Sequence, residues 1–240
     1  MTDYFETVAC FSESDGESRY FLLRYEVFGK YDEEMKGRPE YYIPYAGIRI
    51  REISESESDE LDDEELDRET IGTAVCTMKG RLIMSNFMKS SGFDPHDLCG
   101  AFSQDIGSCW SALTDPGISG NSLSDNQGNI YYVDSIDVES AYQLQNDNTR
   151  IIVVLLANIL DFINDIVNEE EIIADREKKA RLTQGGTCCI DTIACCPGAL
   201  PDDNRMQQKQ TDSEVGDLLR AAGWSECGNP RMLYKTGLDD

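Results

Sequence analysis

The most informative pattern of hydrophobic and polar positions runs from residue 130 to 167. Its first part, IYYVDSIDV, is rich in β-branched and aromatic residues, as a strand buried on both faces would be. A polar, Asn-rich stretch follows. Apolar residues then fall at Ile152, Leu155, Leu156, Ile159, Phe162, Ile163 and Ile166, the stripe of a helix. Strand, polar loop and buried helix form the unit in which backbone N–H groups at a helix start can hold phosphate.

The same reading extends along the chain. Residues 19–28 and 41–53 pattern as strands, with Pro44 placing a break or an edge in the second. Residues 69–84 pattern as a strand or a hairpin turning near Lys79-Gly80. Residues 94–113 pattern as a helix, started by Asp94-Pro95 and stopped by Asp115-Pro116-Gly117. Residues 117–128 are turn-forming throughout. The helix that begins near 151 has room to run on through a charged continuation until Gly185-Gly186. Residues 187–197 read as a strand, 213–224 as a short helix, and 231–235 as a last strand. Strands alternating with helices indicate an α/β layered domain.

Charge changes this picture at one place. In SESESDELDDEELDRE (54–69), ten of sixteen residues are acidic and only Arg68 is basic, which predicts a solvated, flexible insertion. Over the whole chain the net charge is −25. Such a field opposes direct binding to nucleic acid or an anionic membrane and favours a cationic small molecule or a basic peptide as partner. The run 151–167 is shorter than the ~20 residues of a spanning helix. Asn158, Asp161, Asn164 and Asp165 interrupt it, so a core helix is expected. No basic leader precedes an apolar stretch at the N-terminus, and the expected location is cytoplasmic.

Nine cysteines fall in no disulfide framework. The pairs Cys188-Cys189 and Cys195-Cys196 lack the C-x₂₋₄-C spacing of zinc sites, and His96 is the only histidine. Buried cysteines acting as small apolar residues are the expected account, with no metal. One histidine supports no Ser-His-Asp or Cys-His arrangement, and neither glycine-rich nucleotide motif occurs.

In order and pattern, residues 70–235 resemble the GNAT superfamily of acyl-CoA-dependent N-acyltransferases. The resemblance lies in YYVDSIDVESAY, the long apolar helix after it, a strand ending in a proline loop, LLRAAGW and a closing strand. It implies an α/β fold: one GNAT-like domain over 1–240 with a mixed central sheet flanked by helices and an acidic loop insertion at 54–69. It also implies acetyl-CoA or another acyl-CoA as the donor, bound by Val138, Gln143, Asn146, Asn148, Thr149 and Arg150, beside a central strand splayed from its neighbour. Val138, Tyr142 and Gln143 fall where the strand pattern wants them, and Gly223-Trp224 stands in for the usual Gly-Phe. Asn146 and Asn148 replace two loop glycines, and Leu219 replaces the tyrosine that often acts as general acid. For the base that takes a proton from an incoming ammonium, Asp134, Asp137 and Glu139 are the candidates. Two alternatives stay open: a non-catalytic binding module of the same fold, and an acidic decoy carried by 54–69.

Overall fold

Four long strands, rich in β-branched, aromatic and other apolar residues, build the first part of one sheet. They are β1 (Thr2–Ser12), β2 (Ser18–Phe28), β3 (Tyr45–Ile53) and β4 (Thr73–Ile83). A fifth, β5 (Asn129–Val138), joins them antiparallel, so β1 to β5 form a meander. Then β6 (Ile190–Cys195) pairs parallel to β5, which demands a crossover. The short β7 (Ser225–Glu226) and β8 (Leu233–Thr236) finish the sheet in the order β1-β2-β3-β4-β5-β6-β8-β7. The computed structural model describes residues 2–12, 17–28, 38–59, 61, 70–114, 129–144, 148–168, 190–195, 214–227 and 232–236.

The crossover contains α6 (Thr149–Ala157) and α7 (Ile159–Asn168). The predicted single helix breaks at Asn158, whose side chain donates to the Val154 carbonyl at 2.8 Å, so the backbone gains a competing partner. At the break the Trp224 indole donates to the Leu156 carbonyl at 3.2 Å. Asn164 serves the fold rather than interrupting it: its amide bonds both the N–H and the C=O of Ile190, at 2.8 and 3.1 Å, and so fixes the start of β6. Phe162 of α7 meets Phe11 edge-on at 6.3 Å, and Phe11 meets Phe21 at 5.7 Å. Thus α7 reaches across one face of the sheet from β6 to β1.

The other face receives α1 (Pro39–Tyr42), α3 (Ser85–Ser90), α4 (Pro95–Phe102) and α5 (Gln104–Thr114). Tyr42 packs between Phe87 and Phe93, with ring centroids 4.9 and 5.2 Å away. A helix over 214–221, α8, contributes Leu218 and Leu219 to the same core and ends at Gly223, whose φ of 80° suits a helix C-terminus. No helix among the described residues is long and apolar enough to cross a membrane.

Several expectations need correction. Residues 41–53 split at Pro44 into the end of α1 and the whole of β3. Of the two readings of 69–84, the structure has the strand: β4 continues through Lys79-Gly80 with no turn there. The helix over 94–113 starts as expected, Asp94 accepting from the His96 N–H at 2.8 Å, but is two helices parted at Ser103. Part of the acidic segment is ordered as α2 (Glu55–Asp59), where Ser54 and Glu57 cap one another at 2.7 and 3.2 Å. Residues 62–69 and 117–128, the charged continuation 169–185, and Cys188, Cys189 and Cys196 lie outside the described residues. The strand β1 was not anticipated, and it makes β1 to β3 part of the same sheet.

Candidate functional site

Strand β5 is irregular on both sides, and the irregularities coincide. Toward β4 the register shifts at Lys79/Gly80: Gly80 faces Val133 and Lys79 faces Ser135, which leaves Asp134 as the extra residue of a β-bulge. Gly80 is required there, because a Cβ would lie 2.0 Å from the Tyr132 carbonyl oxygen. Toward β6 the parallel pairing begins at Asn129 and ends at Val133. Among the described residues, 135–138 therefore have a strand partner on the β4 side alone, and Asp134 has none. An open strand edge at a bulge is where a ligand's own polar groups can join a sheet.

The bulge re-aims Asp134. Burial pushes its carboxyl above the ordinary carboxylate range, Arg81 pulls it down and Asp105 adds repulsion. Tyr45 senses the same group: burial raises its phenol, with Asp134 next and Arg81 opposing. Arg81 lies 5.3 Å from the ring centroids of both Tyr45 and Phe102. Simple alternation, which puts Asp134 on the face opposite Asp137, does not hold across a bulge. Asp137 is exposed and pairs with Thr77, and Glu139 is exposed beyond the strand end with its N–H on the Val75 carbonyl at 3.0 Å. All three candidate bases are exposed, and what sets Asp134 apart is its place at the bulge together with a raised carboxyl.

Beyond β5 the chain is tied down tightly. A 3₁₀ turn over Ser140–Tyr142 precedes Gln143, whose side chain donates to the Val138 carbonyl at 3.0 Å. Arg19 of β2 grips Glu52 of β3 with two bonds of 2.7 and 2.8 Å and donates to Asn148 Oδ1 at 2.8 Å. The Tyr142 hydroxyl donates to Glu52, and burial followed by Glu52 pushes the phenol up to about 12. The Arg19 hydrogen bond, opposed by burial and aided by Tyr142, holds Glu52 below the usual carboxylate range. Asn148 Nδ2 donates to the Ala141 carbonyl at 3.2 Å, and Thr149 Oγ1 to the Gln143 carbonyl at 2.8 Å. Arg150 is exposed at the start of α6 with no hydrogen bond or ion pair among the described residues.

Of the expected donor-binding residues, Val138, Gln143, Asn148, Thr149 and Arg150 come together around the start of α6, and Asn146 lies outside the described residues. The Asn148 side chain already holds two partners, so it serves to shape the loop. Leu219 is fully buried and has no proton to give. Sequence reasoning missed Arg19, Glu52, Tyr45 and Arg81; an arginine on an alternating strand reads as a solvated position, and cross-strand register is what brings these together.

A second polar strip lies next to Tyr45. Arg24 and Glu26, only 7% and 5% exposed, form a chain with Glu6 at 2.5 Å and Arg49 at 3.4 Å. Cys76, Cys99, Cys109, Cys195 and Cys227 are buried, and burial pushes Cys76 and Cys99 to about 12, which makes inert thiols. Among the described residues no group of His, Cys, Asp and Glu has the arrangement to hold a metal ion. Compared with protein-family models, with curated proteins and with solved structures, the chain finds no match.

Proposed function

We propose that the protein is a cytoplasmic N-acyltransferase of GNAT-like architecture that moves an acyl group from acyl-CoA to an amine. The observation that carries the reading is the end of the β5–β6 pairing at Val133, next to the bulge at Asp134 and just ahead of the turn into α6. Among the described residues, the main-chain N–H and C=O groups of 134–138 that face away from β4 have no strand partner, which leaves them for an extended ligand. The start of α6 adds the Arg150 N–H and guanidinium, which fit a diphosphate in charge and position. The donor, when bound, supplies an activated thioester carbonyl.

The chain's own residues do the rest. Asp134, partly desolvated, takes a proton from the acceptor's ammonium group, which frees a lone pair for attack at that carbonyl. An amide bond forms, the nitrogen gives up its remaining surplus proton to water, the carbon–sulfur bond breaks, and the sulfur leaves with the electron pair. A thiol of this kind is acidic enough, at about 8.5, to leave as thiolate and collect its proton from water. Neither Leu219 nor Tyr142 is asked to give one, since Tyr142 already donates to Glu52. The acidic surface concentrates cationic acceptors, a cationic small molecule or a basic peptide.

Mixing the full chain with acetyl-CoA and a panel of primary amines, and following free thiol, tests this reading. Release that depends on the amine, and falls at least a hundredfold in Asp134→Asn, is expected. Release with no amine in the panel would remove the enzyme claim. The two side-chain bonds of Asn148 and the apolar Leu219 favour a second reading, a non-catalytic module that binds acyl-CoA without turnover.

A further inference from the structure

On the sheet face opposite α6 and α7, Tyr45 and Arg81 are cross-strand partners, and Arg81 is in turn the partner of Tyr132 on β5. The guanidinium is wedged between the rings of Tyr45 and Phe102, with its carbon 5.3 Å from each centroid. Among the described residues it makes no hydrogen bond or ion pair. Asp134, two residues beyond Tyr132 at the bulge, likewise has none among them. The two opposite charges are near enough to influence one another and yet do not pair.

An arginine held in place by rings loses little freedom when it takes a carboxylate, and its fork is shaped for one. In a chain of net charge −25 a free anion would be repelled on approach. A ligand carrying its own cation next to its carboxylate escapes that penalty. We propose that Arg81, Asp134, Tyr45 and Phe102 bind the zwitterionic head of an α-amino acid, the carboxylate on Arg81 and the ammonium on Asp134. This rests on the transferase reading and names its acceptor: the α-amine beside Asp134 is the group that would be acylated. It sets aside polycations, whose extra charges would meet Arg81.

Calorimetric titration of the full chain with L-leucine and L-phenylalanine, and with the carboxamide of each, tests the assignment; acetyl-CoA is titrated separately. The acids should bind at least tenfold more tightly than their amides. Arg81→Gln, which keeps the stem between the rings, should abolish that difference, and a melting curve checks that the variant is folded. Equal affinity for acid and amide, no heat from either, or a preference that survives Arg81→Gln would each overturn the proposal. Heat from acetyl-CoA alone would leave the transferase standing without this acceptor. A preference for acids with no heat from acetyl-CoA would leave the amino-acid site and remove the transferase.

Discussion

Two arginines on neighbouring parts of the sheet are used in opposite ways. Arg19 is saturated: it holds Glu52 through two bonds, reaches Asn148, and through them ties β2 and β3 to the loop ahead of α6. Arg81 is positioned as firmly by two rings, yet no polar partner among the described residues takes its guanidinium. A saturated network contributes to stability and has nothing left for a ligand. An oriented but unmatched charge contributes little to folding and is available for binding. The difference separates the part of the site that shapes the loop from the part proposed to meet substrate.

The largest effect should come from the residue that makes the contrast possible. Gly80→Ala would drive a Cβ into the Tyr132 carbonyl and undo the bulge, costing about 3 kcal/mol in chemical denaturation. Next, Arg19→Ala should cost about 2 kcal/mol, because it strands a partly buried carboxylate. Arg81→Gln should stay within about 0.5 kcal/mol of the parent. Similar losses in the two arginine variants would break the comparison.

Smaller effects sharpen it. Tyr142→Phe removes one hydrogen bond to Glu52 and should cost about 1 kcal/mol. Glu52 titrates below its ordinary range, so its contribution is present above that range and is lost as pH falls through the lowered value. The stability gap between parent and Glu52→Gln should therefore close in acid. Asp134 has the opposite sign. Its raised carboxyl is least costly below about pH 4, and stability declines as pH climbs through the raised value. Asp134→Asn should melt slightly higher than the parent near neutral pH, with the gain fading toward acid. A variant that gains stability while losing turnover is the mark of a functional carboxylate.

Much of this architecture was legible in the chain, and the exceptions have physical causes. The β-branched and aromatic run in 130–138, the apolar run in 19–28 and the stripe in 152–166 report burial directly, so β2, β5 and the crossover helices followed from them. Lys79-Gly80 reads as a turn because glycine is a common turn residue; here it exists to admit the Tyr132 backbone, a long-range demand. Asn158 and Asn164 look like interruptions of an apolar run, yet one breaks the helix and the other fixes β6. Asp134, Asn148 and Arg150 could be singled out through the family resemblance. Arg81, Tyr45, Arg19 and Glu52 could not, since only strand register places residues separated by tens of positions side by side.

Hydrogen exchange on the full chain, with and without acetyl-CoA, tests the central claim most directly. The account predicts slowed exchange at the amides of 134–138 and at the first turn of α6, around Arg150, with β1 and β2 unchanged. No slowing at millimolar acetyl-CoA, or slowing confined to other strands, would contradict it.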